Sequence, residues 1–409
     1  MKDRVILHCD LNNFYASAEC VSHEEWKGVP LAVCGDPNAR HGVVLAKNEI
    51  AKKAGIKTGE TIWQARLKAP GLVVVPPHFD LYMSYSKQMF ALYNDYTDRV
   101  EPFGADECWL DVTGSRNLFG DGEQIADAIR ERVKKESGLT CSVGVSFNKV
   151  FAKLGSDLKK PDATTVISRD NFKQRIWCLK ADEMLMIGRR TYEKLVKLNI
   201  VTIGDLAVAD EKVLKDTFGI NGVKMKRYAC GDDDEPVREA VKHREMKSIG
   251  HGMTTIRDIE TEEEARDLIF YLSERVAARM RKNGVRGSLV SVGMRDSKLF
   301  SIVRQRSMPV PTYSSDEIAK SALSLFLDNW NGDPMRTVTV AVSKFEDTDE
   351  PKQLSFFDDS VRNDKLEKLD ETLDKLNNKY GNIVHRANLL GKDFLYDKSD
   401  AEDFLPFQR

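Results

Sequence analysis

The sequence predicts an α+β chain of several domains. Three observations carry this: its length, the alternation of strand and helix patterns up to about residue 165, and a second alternating unit at 246–345. At 409 residues the chain exceeds one ordinary domain. With 41% hydrophobic and 31% charged residues it can fill several cores, which excludes disorder over most of its length. No run approaches the roughly 18 apolar residues that span a bilayer. The opening MKDRVILHCDLNNF is charged at once and then reads as a strand, unlike a secretory leader. Seven cysteines are scattered with no CxxC pair. A disulfide framework and a cysteine zinc site are therefore not expected, and a reducing cytoplasm is.

Each element follows from local pattern. Val5 to Cys9 reads as a buried strand ending in an acid, with a helix from about Asn13. HGVVLAKNEIAKKAGI is a strand and then a helix that stops near Gly55. GLVVVPPHFDLYMSYSKQMFALYNDY gives a strand, a Pro-Pro break and a long amphipathic helix. FGADECWLDV reads as a hairpin-like strand pair, followed by a helix at 122–137, the strand TCSVGVSFN, and a helix closed by Pro161. From about 182 to 240 the pattern is helical, and KHREMKSIGHG is a polar linker. Residues 246–345 spell strand, helix, strand, strand, helix, strand, the split βαβ order. There Thr261 with Glu264 forms a capping box, and Ala265, Leu268, Ile269, Leu272, Val276 and Met280 recur at helical spacing. A short helix over 363–380 is expected to use Leu366, Leu369, Leu373 and Leu376.

The net charge of −2 averages unlike parts. Residues 242–345 carry 17 basic and 13 acidic side chains, whereas 346–409 carry 10 and 16. Within 275–306, Arg275, Arg279, Arg281, Lys282, Arg286, Arg295, Lys298, Arg304 and Arg306 face only Glu-free, Asp296-containing sequence. Such a concentration can bind a phosphate backbone through its local field, although basic runs are more often solvated surface.

Three acids stand where strands end. Asp10 closes the first strand, and Asp106 with Glu107 lies in the tight FGADECWLD segment. A hairpin that presents adjacent acids beside a strand-end aspartate brings three carboxylates within reach of one site. Mg²⁺ favours one or two carboxylates with waters and phosphates. Two such ions about 3.5–4 Å apart activate a hydroxyl and stabilise a leaving pyrophosphate. An isolated Asp-Glu pair is more often simply exposed.

The segments CDLNNFYASAE, VVLAKNEIAKKAGIKTGE, FGADECWLDVTGS, CSVGVSFNKVFAKLGSDLKKP and MIGRRTYEKLVKLNIVTIGDLA occur in this order. Together they resemble a Y-family translesion DNA polymerase of the DNA polymerase IV or UmuC-like type, over roughly residues 3–345. The resemblance implies a right-hand polymerase: palm at 1–12 and 77–165, small fingers at 13–76, a helical thumb at 166–241, and a split-βαβ little finger at 242–345. An acidic tail follows at 346–409. It also implies low-fidelity, template-directed DNA synthesis across damaged bases.

By that resemblance Asp10, Asp106 and Glu107, with the Leu11 carbonyl, bind two Mg²⁺ ions. Tyr15 falls at the sugar gate that rejects a ribose 2′ hydroxyl; a core tyrosine under a helix is the bland reading. Asn13, Phe14 and Tyr15 begin a turn whose N–H groups can meet the triphosphate. Lys52 and Lys160 fall at triphosphate-binding positions. Lys52 stands where arginine is commoner, which keeps the charge and loses the bidentate fork. Glu49 stands where a tyrosine is common, and the family's usual serine before the acid pair is altered, since Gly104 and Ala105 precede Asp106.

MIGRRTYEKLVKLNI resembles a helix–hairpin–helix element in which Gly188 lets backbone N–H groups approach a DNA phosphate; a plain helix pair fits the pattern as well. In the little finger, Arg275, Arg279, Arg286, Arg295, Arg304 and Arg306 are the expected backbone contacts to primer–template DNA. QLSFF resembles the sliding-clamp peptide of bacterial polymerases, with Gln353 at a pocket rim and Leu354, Phe356 and Phe357 in an apolar groove. The implied enzyme is a cytoplasmic monomer that takes dNTPs. The alternatives are a catalytically silent DNA- or clamp-binding protein on the same fold, and a different palm-based nucleotidyl transferase such as a cyclase.

Overall fold

A computed structural model of the protein describes residues 4–36, 42–239, 246–348 and 360–380. The chain divides near residue 245 into two compact units. No helix among the described residues is long and apolar enough to cross a membrane.

In the first unit the chain runs β1 (Ile6–Leu11), α1 (Phe14–Ser22), β2 (Leu31–Cys34), β3 (Val44–Lys47), α2 (Glu49–Lys53), α3 (Ile62–Lys68), β4 (Val73–Val75) and α4 (Phe79–Asn94). It continues as β5 (Val100–Pro102), β6 (Glu107–Asp111), α5 (Arg116–Phe119), α6 (Gly122–Ser137), β7 (Cys141–Ser146), α7 (Lys149–Leu158) and β8 (Thr164–Ile167). Five strands form one sheet in the order β5-β6-β1-β7-β8, and three form a second in the order β3-β2-β4. The strands LAVC and TTVI and the helix IWQARLK were not among the expected elements. The last strand, Thr164–Ile167, pairs parallel to β7 and so straddles the expected palm edge at 165.

β1 is central, and all six of its residues are buried. Side chains alternate faces along a strand. Leu7, Cys9 and Leu11 join a core with Ile125 and Ile129 of α6 and Tyr82 and Met89 of α4. Ile6 packs instead with Ala152 of α7. His8 and Asp10 share that second face, so the strand-end acid is aimed at α7. α6 begins with a full capping box, Asp121 with Gln124, and ends at Gly138 in the left-handed region.

The helical region holds α8 (Phe172–Ile176), α9 (Arg189–Lys197), α10 (Ile203–Val208), α11 (Glu211–Phe218) and α12 (Ile220–Ala229). Their apolar residues Ile176, Leu195, Ile203, Leu206, Leu214 and Met225 share one core with Phe147, Val150 and Phe151 at the start of α7.

The second unit runs β9 (Ser248–Ile259), α13 (Glu262–Lys282), β10 (Val285–Asp296), β11 (Ser301–Thr312), α14 (Ser315–Leu327), β12 (Met335–Asp347) and α15 (Ser360–Tyr380). Its sheet order is β11-β10-β12-β9. The Thr261–Glu264 capping box is present, and all six apolar positions expected on α13 are fully buried. They face Val290, Val292, Val338, Val340 and Val342 of the sheet.

α15 starts three residues before its expected position and docks through an unexpected face. Glu367 and Asp370 are buried, while Leu369 and Leu376 are 48% and 37% exposed. Asp374 grips Arg281 through two bonds of 2.5 and 2.9 Å, and Asp370 reaches the same guanidinium at 3.3 Å. Asp370 also accepts the Ser315 N–H at the start of α14 (2.8 Å), where a carboxylate is favoured by the helix dipole. Glu371 accepts the Tyr313 hydroxyl at 2.7 Å, and Glu367 lies 3.7 Å from Arg286.

Candidate active site

Asp10 and Glu107 are directly opposed partners in the β1–β6 ladder. Directly opposite residues project to the same face of an antiparallel pair. The turn before Glu107 is closed by Phe103 and Gly104 N–H groups donating to the Glu107 carbonyl. Asp106 sits at the end of that turn, and its carbonyl accepts the Leu11 N–H at 3.0 Å. Leu11 is thereby held beside the acids.

The carboxylates act on one another through their charges. Burial, then the charges of Asp10 and Glu107, push Asp106 up to about 7. Burial raises Glu107 as well. For Asp10, burial acts upward, but the ammonium groups of Lys153 and Lys160 outweigh it and hold the carboxyl below its ordinary value. Lys153 Nζ lies 3.0 Å from Asp10 Oδ2 and 2.5 Å from Glu107 Oε2. Lys160 Nζ is 2.8 Å from the same Asp10 oxygen and 2.8 Å from Asp157.

Among the described residues, His8, Asp10 and Glu107 form a trio of potential ligand atoms all within 4.8 Å of one another. Asp106 stands beside that trio rather than in it, so the expected three-acid set is joined at its floor by a residue the sequence reading missed. His8 is fully buried, its Nδ1 is 3.0 Å from Ser156 Oγ, and its Nε2 has no hydrogen-bond partner and lies 3.5 Å from Glu107. Burial, then Lys153, keep the imidazole neutral. Carboxylate oxygens of Asp10 and Glu107 on one face, with Asp106 beside them, suit a hard divalent cation.

At the start of α1, Asn13 occupies the left-handed region and donates to Glu49 at 3.3 Å. Glu49 also lies 3.9 Å from Lys52, which is 48% exposed. Phe14 is buried in the core. Tyr15 is half-buried, and its ring stacks on Tyr82 with centroids 4.2 Å apart and planes 11° apart. Tyr82 is pinned in turn by a hydroxyl bond to Glu19, which also meets His78 at 2.9 Å. Burial, then the Asp106 charge, raise the Tyr15 phenol. The structure thus brings Asp10, Asp106, Glu107, Tyr15 and Lys160 to one corner, and leaves Lys52 exposed beside Glu49.

Gly188 caps the N-terminus of α9, with open space beside its Cα. The arginines of the second unit are not equivalent. Arg295 is exposed. Arg275 lies over the Tyr271 ring, and Arg279 donates to the Gly250 carbonyl at 2.7 Å. Arg304 and Arg306 turn towards the segment just after α14, where they meet Asn329 at 3.2 Å and Asp328 at 2.7 Å. Arg286 departs from its expectation as an open phosphate contact. Its side chain is only 13% exposed, lies over Tyr313, donates to the Thr348 carbonyl and faces Glu367. The reason is α15, whose acids cover it. Gln353, Leu354, Phe356 and Phe357 lie outside the described residues.

Residues 9–157 match the impB/mucB/samB family, and residues 246–356 match the C-terminal domain of that family. A DNA polymerase IV of Acetivibrio thermocellus is 46% identical over 391 residues, covering 95% of this chain and 98% of the relative. DNA polymerase IV 1 of Bacillus subtilis is 35% identical over 399 residues, covering 96% and 94%. Among solved structures, a Y-family DNA polymerase chimera of Dbh and Dpo4 superimposes with a TM-score of 0.74 at 24% identity, covering 83% of this chain and 98% of that one. An insertion ternary complex of Dbh DNA polymerase gives 0.60 over the same shares. These last two are likenesses of fold.

Proposed function

The chain belongs to the Y-family of translesion DNA polymerases, and on that premise we propose that the corner formed by Asp10, Asp106 and Glu107 joins dNTPs to a primer end under template direction. The observation that carries this reading is the direct opposition of Asp10 and Glu107 across the ladder, with Asp106 close enough to feel both charges. Asp10, Asp106, Glu107 and the Leu11 carbonyl would hold two Mg²⁺ ions, which when bound would lower the pKa of a primer hydroxyl and offset charge on the leaving pyrophosphate. The chain's own work is positioning and charge neutralisation, which supply most of the catalysis in phosphoryl transfer.

Lys160, next to Asp10, and Lys52, at the fingers edge, supply positive charge towards a triphosphate, and the N–H groups at the start of α1 add a dipole of the same sign. Tyr15 serves as the sugar gate. Its ring is held flat against Tyr82 and cannot yield to an added hydroxyl. Gly188, Arg275, Arg279, Arg295, Arg304 and Arg306 are the proposed backbone contacts to primer–template DNA. Release of Arg304 and Arg306 from Asn329 and Asp328 would accompany binding. Seven unpaired thiols suit a reducing cytoplasm, where the chain would act as a monomer.

Primer extension by the purified protein tests this reading. With Mg²⁺, dNTPs and templates both intact and damaged, extension should depend on the template base; extension that ignores the template, or its absence at high protein concentration, rejects it. In the same assay Tyr15→Ala should raise ribonucleotide incorporation at least about tenfold, the scale of a lost steric contact. Unchanged sugar selectivity would remove the gate. Tethering to the sliding clamp through residues 353–357 is the reading of QLSFF. Alanine at Gln353, Leu354 and Phe357 should lower clamp-stimulated synthesis about tenfold and leave basal synthesis intact; an equal fall in both counts against a tether.

A further inference from the structure

Lys153 has no part in the reading above, yet it stands at the centre of the site. It projects from α7 with its side chain 16% exposed, and its ammonium touches Asp10 Oδ2 and Glu107 Oε2 together. These are oxygens that must converge on a divalent cation. A further carboxylate, Asp157, lies one turn along the same helix and is 43% exposed; its Oδ2 is 3.4 Å from Lys153 Nζ, while Lys160 Nζ holds its other oxygen, Oδ1, at 2.8 Å.

We propose that Lys153 is a built-in counter-cation, which holds Asp10 and Glu107 together while the metal site is empty and gives up its place by swinging onto Asp157. The inference rests on the metal-binding reading of the site. Asp10, which is buried, and Glu107, whose side chain is 20% exposed, face each other at paired strand positions, so without a cation between them they would spread apart. An ammonium with three donors can bridge them. It cannot share their oxygens with Mg²⁺, which needs them at about 2.0–2.1 Å in octahedral array. A flexible four-carbon stem makes the departure easy, where an arginine fork would stay. Asp157, at the i+4 position, is the natural receiver. Lys153 is a positioning residue in this account; it touches neither substrate nor reacting atoms.

Titration of the full chain with Mg²⁺ alone, without DNA or nucleotide, tests the proposal. Lys153→Met keeps the apolar stem and removes the competitor. It should bind Mg²⁺ about tenfold more tightly than wild type, melt at a lower temperature in EDTA, and recover that loss in saturating Mg²⁺. Asp157→Asn removes the receiver, so Mg²⁺ should bind several-fold more weakly while stability in EDTA holds. If Lys153→Met binds Mg²⁺ no more tightly while wild type binds it measurably, Lys153 is no competitor and the proposal fails alone. If neither takes up Mg²⁺, the metal reading fails and the proposal goes with it. Should Lys153→Met not fold, Lys153→Arg decides: an obstinate fork must weaken Mg²⁺ binding, and unchanged binding overturns the proposal.

Discussion

Asp106→Asn is expected to reduce primer extension by at least about 10³-fold, the several kcal/mol that metal-centred charge stabilisation supplies, while changing duplex affinity by less than about twofold. The carboxylate is lost with its shape kept, and no basic residue assigned to DNA loses a partner. What separates this from damage to the fold is the sign of the stability change. Burial and the two neighbouring acids push Asp106 up to about 7, so the ionised group opposes folding when no cation is present. A raised carboxyl pKa makes the folded state take up a proton as pH falls. In EDTA the wild type should therefore gain stability from above pH 7 down towards the ordinary carboxylate range, on the order of a few kcal/mol. The asparagine variant should lack that gain and be the more stable protein at pH 8. A variant that loses duplex binding along with synthesis, or that melts earlier than wild type in EDTA at pH 8, would recast Asp106 as a structural acid.

Much of this arrangement could be read before any coordinates. α13 declared itself through a capping box and a complete apolar stripe, because both signals are local and both are satisfied within one helix. Asp10, Asp106 and Glu107 stand out at a strand end and in a tight turn, but it is the resemblance of the motifs around them, not that placement, that marks them as one set. β2, β8 and α3 were missed. The two strands are only four residues each, and LAVC reads equally as a piece of helix until its partners are known. His8 and Lys153 escaped for a different reason. A lysine in an amphipathic helix looks like solvent-facing charge, and only the crossing of α7 over β1 turns it inward. Arg281 and Arg286 misled in the same way. Their acidic partners lie far along the chain, Asp374 being 93 residues from Arg281, and no periodicity connects them. The leucines of α15 promised an apolar contact, but two buried guanidinium groups and a helix N-terminus demanded carboxylates instead.

Gly144→Ala should be among the most disruptive single substitutions in the chain, costing about 3 kcal/mol or more, at the upper end for overpacking. Gly144 lies in β7 where α7 crosses the sheet. A Cβ there would stand 1.9 Å from the Ala152 carbonyl oxygen and 2.5 Å from the Ser156 N–H nitrogen. Both are backbone atoms inside a helix, so no side-chain rotation relieves the clash, and α7 must lift as a body. Carbon atoms rest in contact at about 3.5–4.0 Å, so the lift exceeds an ångström. α7 carries Lys153, and the chain just beyond it carries Lys160. The same lift therefore withdraws both ammonium groups from Asp10, and activity should fall even in preparations that remain folded. Gly155→Ala meets the Gly144 Cα at 3.1 Å and should be milder. Gly188→Ala, with nothing within 4 Å, should leave thermal stability unchanged. Thermal melting of the three variants gives the comparison. An order other than Gly144 worst, Gly155 intermediate and Gly188 silent would mean that α7 does not ride as close to β7 as this crossing requires, and that the lysines reach the carboxylates by some other support.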